Sequence, residues 1–352
     1  MNIGTYTISS GDNLRVWTTM PNGQNEPAGV AYNDTTGLLV KEGISGNYTV
    51  GGAAADYADF AAAVADLNAF GVCGPVTLTA ISGSGPYTEK LEFSDINGAS
   101  ATNTITLNGN GEKLIFNGAS GNRAGVLFNG CKWVTVKNFD LDASSATTAY
   151  GVQFTGNAEH NTLKDNIIRM NTSSTSSLVC GIIFSNSQTS PTTTGDASSY
   201  NTVEGNTVYG GYYALSVFGA STTSPSLGNK ILNNTFENFY YRGAYTYYQE
   251  DIEINGNIFK IRPGYSSPYG IAMYYNNDFL LANNQFIGCY YGLYCYYGNY
   301  YRTLTNSSVR SVVANNFFAN AHISGYYGIY ITTNSRNIDV VNNSVYWNSN
   351  AK

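Results

Sequence analysis

Seven short segments of this chain carry one Asn-centred motif, and the distance between them restricts the fold more than any other feature. They are NTLKDNII around Asn166, NTVEGNTV around Asn206, NKILNNTF around Asn234, DIEINGNIF around Asn257, LLANNQF around Asn284, SVVANNFF around Asn316 and DVVNNSV around Asn343. Successive Asn residues are 40, 28, 23, 27, 32 and 27 positions apart. Between them runs a second pattern, a small residue followed by an apolar alternation: AGVLFNG from 124, YGVQFTG from 150, CGIIFSN from 180, YALSVFG from 213, RGAYTYY from 242, YGIAMYY from 269, YGLYCYY from 291 and YGIYITT from 327. Two short β patterns in a period of twenty-odd residues leave no room for the long amphipathic helices of a helical solenoid. The period suits one turn of an all-β solenoid, a right-handed parallel β-helix.

Alignment of the coils on the small residue predicts which side chains form the core, because strand side chains alternate between two faces. Two columns point inward: Val126, Val152, Ile182, Leu215, Ala244, Ile271, Leu293, Ile329, and Phe128, Phe154, Phe184, Val217, Thr246, Met273, Cys295, Ile331. The columns of opposite parity point outward: Leu127, Gln153, Ile183, Ser216, Tyr245, Ala272, Tyr294, Tyr330, and Asn129, Thr155, Ser185, Phe218, Tyr247, Tyr274, Tyr296, Thr332. The Asn column is placed at a turn, where Asn tolerates unusual backbone angles and its amide bonds to the same amide one coil away. That reading makes Asn166, Asn206, Asn234, Asn257, Asn284, Asn316 and Asn343 a structural ladder rather than a catalytic set. The long intervals mark loops that bulge from the coil at 187–200 and 298–308.

Upstream, DYADFAAAVADLNAFG at 56–71 predicts a single helix with Asp56 as N-cap and Gly71 as stop. Lying just before the strand PVTLTAI at 75–81, it is expected to cap the open end of the apolar spiral. The chain divides into residues 1–46, an extension or the end of a preceding module; 47–95, the capping helix and first coil; and 96–352, the coils. The last residues, NNSVYWNSNAK, follow a repeat strand without a capping pattern, so a longer parent protein or a neighbouring subunit is expected to cover that end.

Charged residues are only 11% of the chain, the net charge is −6 and no run of Lys or Arg occurs, which argues against nucleic acid and anionic membranes as partners. No stretch has the apolar length needed for membrane insertion, and the first twenty residues lack the basic start and apolar run of a signal peptide. Five cysteines, Cys73, Cys131, Cys180, Cys289 and Cys295, with no CxxC pair, read as small apolar core residues. Only Cys289 and Cys295 are near enough in sequence to be bridged, and then only if the strands set them face to face.

The run YTVGGAAADYADFAAAVADLNAFGVCGPVTLTAISGSGPYTEKLEF, residues 48–93, resembles the capping segment of pectate-lyase-like right-handed β-helices. It is especially similar to those of large secreted surface proteins of the Bacteroidetes kind, many of them exported by the type IX system. The resemblance extends over roughly residues 47–350 and implies export to a cell-surface or extracellular location.

Enzymatic chemistry is poorly marked. β-Helix lyases need a basic residue as base and a cation or basic groups facing a uronate carboxylate, and hydrolases of this shape need clustered Asp pairs. The candidates are Asp140 with Asp142, Glu250 with Asp251, and Lys260 with Arg262. Asp140 and Asp142 flank Leu141 and so share an outer face able to hold Ca²⁺, the one cofactor the chain suggests. Lys260 and Arg262 flank Ile261 in the same way, a small basic spot able to meet a uronate. The two histidines, His160 and His322, have no metal-ligand partner at short spacing and read as structural. No GxSxG and no phosphate-binding Gly-rich loop is present.

The tyrosines carry more information. Of the 30, only Tyr6, Tyr32, Tyr48, Tyr57, Tyr87 and Tyr150 precede residue 200, leaving 24 in the later coils. The outward columns there predict a stripe containing Tyr245, Tyr247, Tyr274, Tyr294, Tyr296 and Tyr330. A phenol ring offers a flat apolar face with a hydroxyl, suited to sugar rings and their hydroxyls, and coils about 4.8 Å apart would make the stripe continuous. The expectation is a non-catalytic extracellular module of an adhesin or stalk that binds polysaccharide or a cell-surface glycan. A β-helix lyase or glycoside hydrolase, and a purely structural spacer joined to adjacent modules, are the alternatives.

Overall fold

The computed structural model describes residues 13–17, 35–39, 42–265, 267–300, 310–320, 327–332 and 334–347. Asn13–Trp17 and Thr35–Leu39 pair antiparallel as a separate two-stranded sheet. From Ile44 onward the chain is a right-handed parallel β-helix. Each coil contributes one strand to each of three parallel sheets, which hold eleven, ten and nine strands. A single coil runs Lys230–Leu232, Thr235–Phe239, Arg242–Tyr247, and the next runs Glu253–Asn255, Ile258–Ile261, Tyr269–Tyr274.

The third sheet reproduces both inward columns as its hydrogen-bonded register: Val126 pairs with Val152, then Ile182, Leu215, Ala244, Ile271, Leu293 and Ile329 in turn. Every member of the two columns through Cys295 is at most 1% exposed, so the period-two reading of the core holds. Phe128, Phe154 and Phe184 stack at centroid distances of 4.5 and 4.2 Å. A second file in the middle sheet, Phe236, Phe259, Phe286 and Phe318, stacks at 5.0, 5.1 and 5.0 Å. Such stacks add dispersion and ring–ring attraction to the hydrophobic term that dominates burial.

The small residue opening each third-sheet strand has a steric cause. A Cβ on Gly270 would sit 2.6 Å from the carbonyl oxygen of Gly292, one coil on, and 2.5 Å from the ring of Phe286. Gly151, Gly243 and Gly292 meet the corresponding carbonyl at 2.5–2.6 Å. Glycine there lets the coils close on one another around bulky core residues.

The Asn-centred segments each resolve into two strands with the ladder Asn at the bend between them. The ladder side chains bond amide to amide along the axis, with Asn166, Asn206, Asn234, Asn257, Asn284, Asn316 and Asn343 in unbroken succession, all but the half-buried Asn343 buried. The unusual backbone angle, however, belongs to the preceding residue: Asp165, Gly205, Asn233, Gly256, Asn283, Asn315 and Asn342 have φ between 53° and 72°. Turning the corner and bonding the coils are thus divided between two adjacent positions. A second ladder, Asn161 to Asn201 to Asn229, lines the bend between the third and first sheets and ends on Gln249.

The helix covers Phe60–Phe70, four residues shorter at its start than the sequence suggested. Its N-cap is Asp59, which accepts from Ala62 N–H at 2.8 Å. Asp56 is instead held by the backbone N–H and hydroxyl of Thr49, each at 2.7 Å, which closes the turn before the helix onto the preceding strand. Glu89, in the connection between the strands Tyr87–Thr88 and Leu91–Phe93, accepts from the Phe60 and Ala61 N–H groups and completes the cap. Phe60, Ala63, Val64 and Leu67 are buried, and Phe60 meets Phe139 at 4.9 Å, so the helix closes the first coils as expected.

Candidate functional site

The outer face of the third sheet is divided into two halves. In the earlier coils the outward residues Leu127, Gln153, Ile183 and Ser216 are at most 3% exposed. The segment after Phe184 seals them. Gln153 donates to the Ser185 and Ser187 carbonyls at 3.1 Å, Ser216 donates to Pro191 O at 2.8 Å, and Arg123 donates to Gln188 O at 3.0 Å. The 187–200 segment therefore folds back as a cover instead of bulging away. Beneath it Leu127, Tyr150, Cys180 and Ile183 form a second small apolar core.

In the later coils the same face carries tyrosines and, among the described residues, no such cover. Tyr245, Tyr247, Tyr274, Tyr294, Tyr296 and Tyr330 are all present on it and all half-buried. They interlock more closely than an open stripe would. Tyr247 stacks on Tyr274 at 5.7 Å and Tyr294 on Tyr330 at 5.5 Å, with interplanar angles of 21° and 18°. Tyr269, Tyr291 and Tyr327 form a third file at 4.9 and 5.4 Å. Tyr245 meets Tyr274 edge to face at 5.5 Å. Rings stacked along the solenoid axis turn their faces to one another, leaving edges and hydroxyl groups for the exterior. Burial pushes the phenols of Tyr247, Tyr274 and Tyr294 above the ordinary tyrosine value, so each remains a neutral O–H, donor and acceptor at once, through the physiological range. Tyr248, Tyr275 and Tyr297 extend the layer around the corner in left-handed backbone, with φ of 55°, 53° and 54°.

The acid–base candidates have other partners. On the middle sheet Asp142 receives Lys113 Nζ at 2.9 Å, and Asp140 receives Arg169 Nε at 2.7 Å with Lys113 at 3.8 Å. Burial alone would raise the Asp142 carboxyl, but hydrogen bonds from Lys113 and from Ser144 outweigh it and hold its pKa at about 2. A carboxyl held ionised in this way is no general acid at neutral pH, and its neutralisation by Lys113 opposes a bound Ca²⁺. An open hollow of about 280 Å³ beside Asp140 is lined chiefly by Asn110, Asn138, Asp165 and Ile167. Glu250 lies half-buried on a short strand, while Asp251 occupies an exposed left-handed turn.

Lys260 and Arg262 do not form the basic pair that strand alternation implied. A bulge between Glu237 and Phe239 on the preceding coil faces Lys260 and Ile261, and the later strand ends at Ile261. Lys260 turns to Glu237 at 3.9 Å. Arg262 folds against Tyr240 and donates to the Asn238 and Ser174 carbonyls. His160 is stacked between Trp133 at 4.2 Å and Tyr200 at 5.1 Å, in keeping with a structural role. His322 and most of the second insertion, 301–308, lie outside the described residues. All five cysteines are free thiols, Cys289 and Cys295 included, and all but Cys73 are buried.

Two family descriptions match the chain, each over less than half its length. "Right handed beta helix region" matches residues 194–351, and "Periplasmic copper-binding protein (NosD)" matches residues 75–238. Among the described residues no three His, Cys, Asp or Glu side chains converge on one point, so the residues present there do not fit a copper centre of that kind. No curated protein matches the sequence. Among solved structures the chain is similar to a periplasmic alginate epimerase, AlgG, at 11% identity and a TM-score of 0.45, covering 77% of this chain and 59% of that one. It therefore spans about three-fifths of that protein's length. It is also similar to the A-module of the Azotobacter vinelandii mannuronan C-5 epimerase AlgE6, at 10% identity and TM-score 0.44 over 86% of this chain and 90% of that one. A third is PfbA, a surface adhesin of Streptococcus pneumoniae, at 14% identity and TM-score 0.43 over 80% and 79%. At these identities the likeness is one of fold.

Proposed function

We propose that this chain is a non-catalytic, glycan-binding β-helix module of a secreted or cell-surface protein, with the tyrosine layer of the third sheet as its binding face. One observation carries the reading: the outer face is sealed by a loop over the earlier coils, where apolar and polar residues alternate on it, and left open where it is tyrosine. A spacer has no need of that division, since a uniformly polar face would keep it soluble. The open half presents phenol hydroxyls at a spacing set by the coils, donors and acceptors for the hydroxyl groups of a sugar chain. The candidate acid–base groups support this choice over an enzyme, because Asp140 and Asp142 are each neutralised by a cation.

The test is a glycan array on the whole chain beside the triple variant Tyr245→Ala, Tyr274→Ala, Tyr296→Ala, with product analysis on every hit. Binding lost in the variant without new chain ends is the expected result. New chain ends would transfer the assignment to a lyase or hydrolase, and absence of binding to any glycan would leave the spacer.

A further inference from the structure

At the edge of the tyrosine layer stands a charge without a counter-ion. Arg242 is only 8% exposed, and among the described residues no carboxylate lies within ion-pair distance of it. Its guanidinium carbon is 3.8 Å from the ring centre of Tyr245, 4.7 Å from Tyr241, 5.1 Å from Tyr269 and 5.9 Å from Tyr274. Its side-chain hydrogen bonds go to phenols, Tyr245 and, at a long 3.4 Å, the Tyr241 hydroxyl, and its Nε has no partner. Cation–π attraction recovers only part of what it costs to take a guanidinium out of water.

A second arginine reaches the same cluster from the next coil. Arg262 lies 5.4 Å from the ring centre of Tyr240, and one of its terminal nitrogens, Nη2, is likewise buried without a partner. Tyr240 and Tyr241 are adjacent in sequence, and both rings pack against Tyr265, at 4.6 and 5.8 Å. Elsewhere on the solenoid, Lys113, Lys132, Lys164, Arg169, Lys260 and Arg310 each have a carboxylate partner. In a chain of net charge −6, two aromatic-walled guanidinium groups lacking carboxylates concentrate positive potential at one corner.

We infer that this corner, Arg242 and Arg262 among Tyr240, Tyr241, Tyr265 and Tyr269, is an anion subsite that takes the carboxylate or sulfate of an acidic sugar. A guanidinium fork matches a planar or tetrahedral oxyanion through paired N–H donors, and the aromatic walls suit the ring that carries it. The inference rests on the glycan-binding reading and narrows it: the polysaccharide on the tyrosine face is acidic.

Calorimetric titration of the whole chain with a uronic-acid oligosaccharide, its carboxyl-reduced counterpart and a sulfated counterpart tests it. The acidic forms are expected to bind about tenfold more tightly than the reduced one, with the preference shrinking as salt rises. Arg242→Gln and Arg262→Gln should each bring the acidic-to-neutral ratio towards one. Preference for only one of the two acidic arms identifies the anion. Equal binding of all three sugars, or a preference that survives both substitutions, overturns the subsite and leaves the glycan reading intact. Binding of none overturns both. Should Arg242→Gln fail to fold, Arg262→Gln at its half-buried position decides, together with Arg242→Lys, which keeps the charge, loses the fork and should retain part of the preference.

Discussion

The side-chain carbonyl of Asn234 accepts two hydrogen bonds from a single residue one coil earlier, the backbone N–H of Asn206 at 2.9 Å and its side-chain amide at 3.0 Å. The amide of Asn234 donates in turn to Val203 O and to Asn257. Removing this side chain takes their buried partner from the Asn206 N–H and the Val203 carbonyl, while the Asn206 amide keeps the Leu163 and Glu204 carbonyls and Asn257 Oδ1 keeps the backbone N–H of residue 234. Asn234→Ala is expected to cost about 3 kcal/mol or more, read as a lowered midpoint in urea unfolding. Asn343→Ala, at a ladder position that water reaches, should cost less. Equal losses would count against the ladder as the principal bond between coils.

The phenylalanine files make a second expectation. Phe259 is fully buried between Phe236 and Phe286. Phe259→Ala should cost about 3–5 kcal/mol through lost transfer energy and the cavity left behind, whereas Phe259→Leu should cost appreciably less. Equilibrium unfolding of the two variants decides.

Gly270→Ala adds one methyl group and should destabilise by about 1–3 kcal/mol, because the neighbouring carbonyl of Gly292 belongs to the backbone and cannot swing aside. Thermal melts that show no loss would mean the coils can separate locally to admit a Cβ.

The Asp142 carboxyl has its pKa lowered in the folded chain to about 2 from an ordinary 3.8, so the unfolded state takes up its proton first as the pH falls. Its contribution to stability is fully present above pH 4 and is lost as the pH falls from there towards 2. Asp142→Asn should flatten that part of the stability–pH curve measured by denaturant melts, and an unchanged slope would refute the assignment.

Burial pushes the thiols of Cys180 and Cys295 up to about 12 and those of Cys131 and Cys289 up as well. In the native protein a thiol reagent is expected to label Cys73 alone and, after denaturation, all five. Rapid native labelling of Cys289 or Cys295 would show that the later coils open readily.

The core columns were legible in the sequence because strand alternation has a period of two and the coils share one register, so a single alignment residue orders sixteen positions. The ladder was legible for the same reason. Its neighbour at Asn161, Asn201 and Asn229 was missed, although each of these stands five residues before a ladder Asn, at 166, 206 and 234. The signal fades where Ile252 and Phe279 take over the column. The helix start was misplaced because Thr49 takes up Asp56, the expected cap, and Glu89, about thirty residues further on, adds to the cap at Asp59. The six proposed tyrosines did fall on one outer face, but their mutual burial follows from ring orientation, which no spacing rule gives. Arg242 escaped notice because its interest lies in the carboxylates missing from its surroundings, and Arg262 was matched with Lys260 instead, because neighbours across coils are not adjacent in the chain. Lys113 and Arg169, which neutralise the two aspartates, were hidden for the same reason.

The loop that covers the earlier coils also changes how force travels through the molecule. In a simple solenoid each coil touches only the coils on either side, yet this one segment is tied to Arg123, Gln153 and Ser216, which stand on the first, second and fourth of four successive coils. Those coils are riveted into one block. The tyrosine coils, by contrast, have among the described residues no such tie and are joined only coil to coil, by the sheets, the ladder and the stacked rings. Stretching or bending of the solenoid would therefore concentrate in its tyrosine half, where small changes of pitch would alter the hydroxyl spacing offered to a chain lying along it.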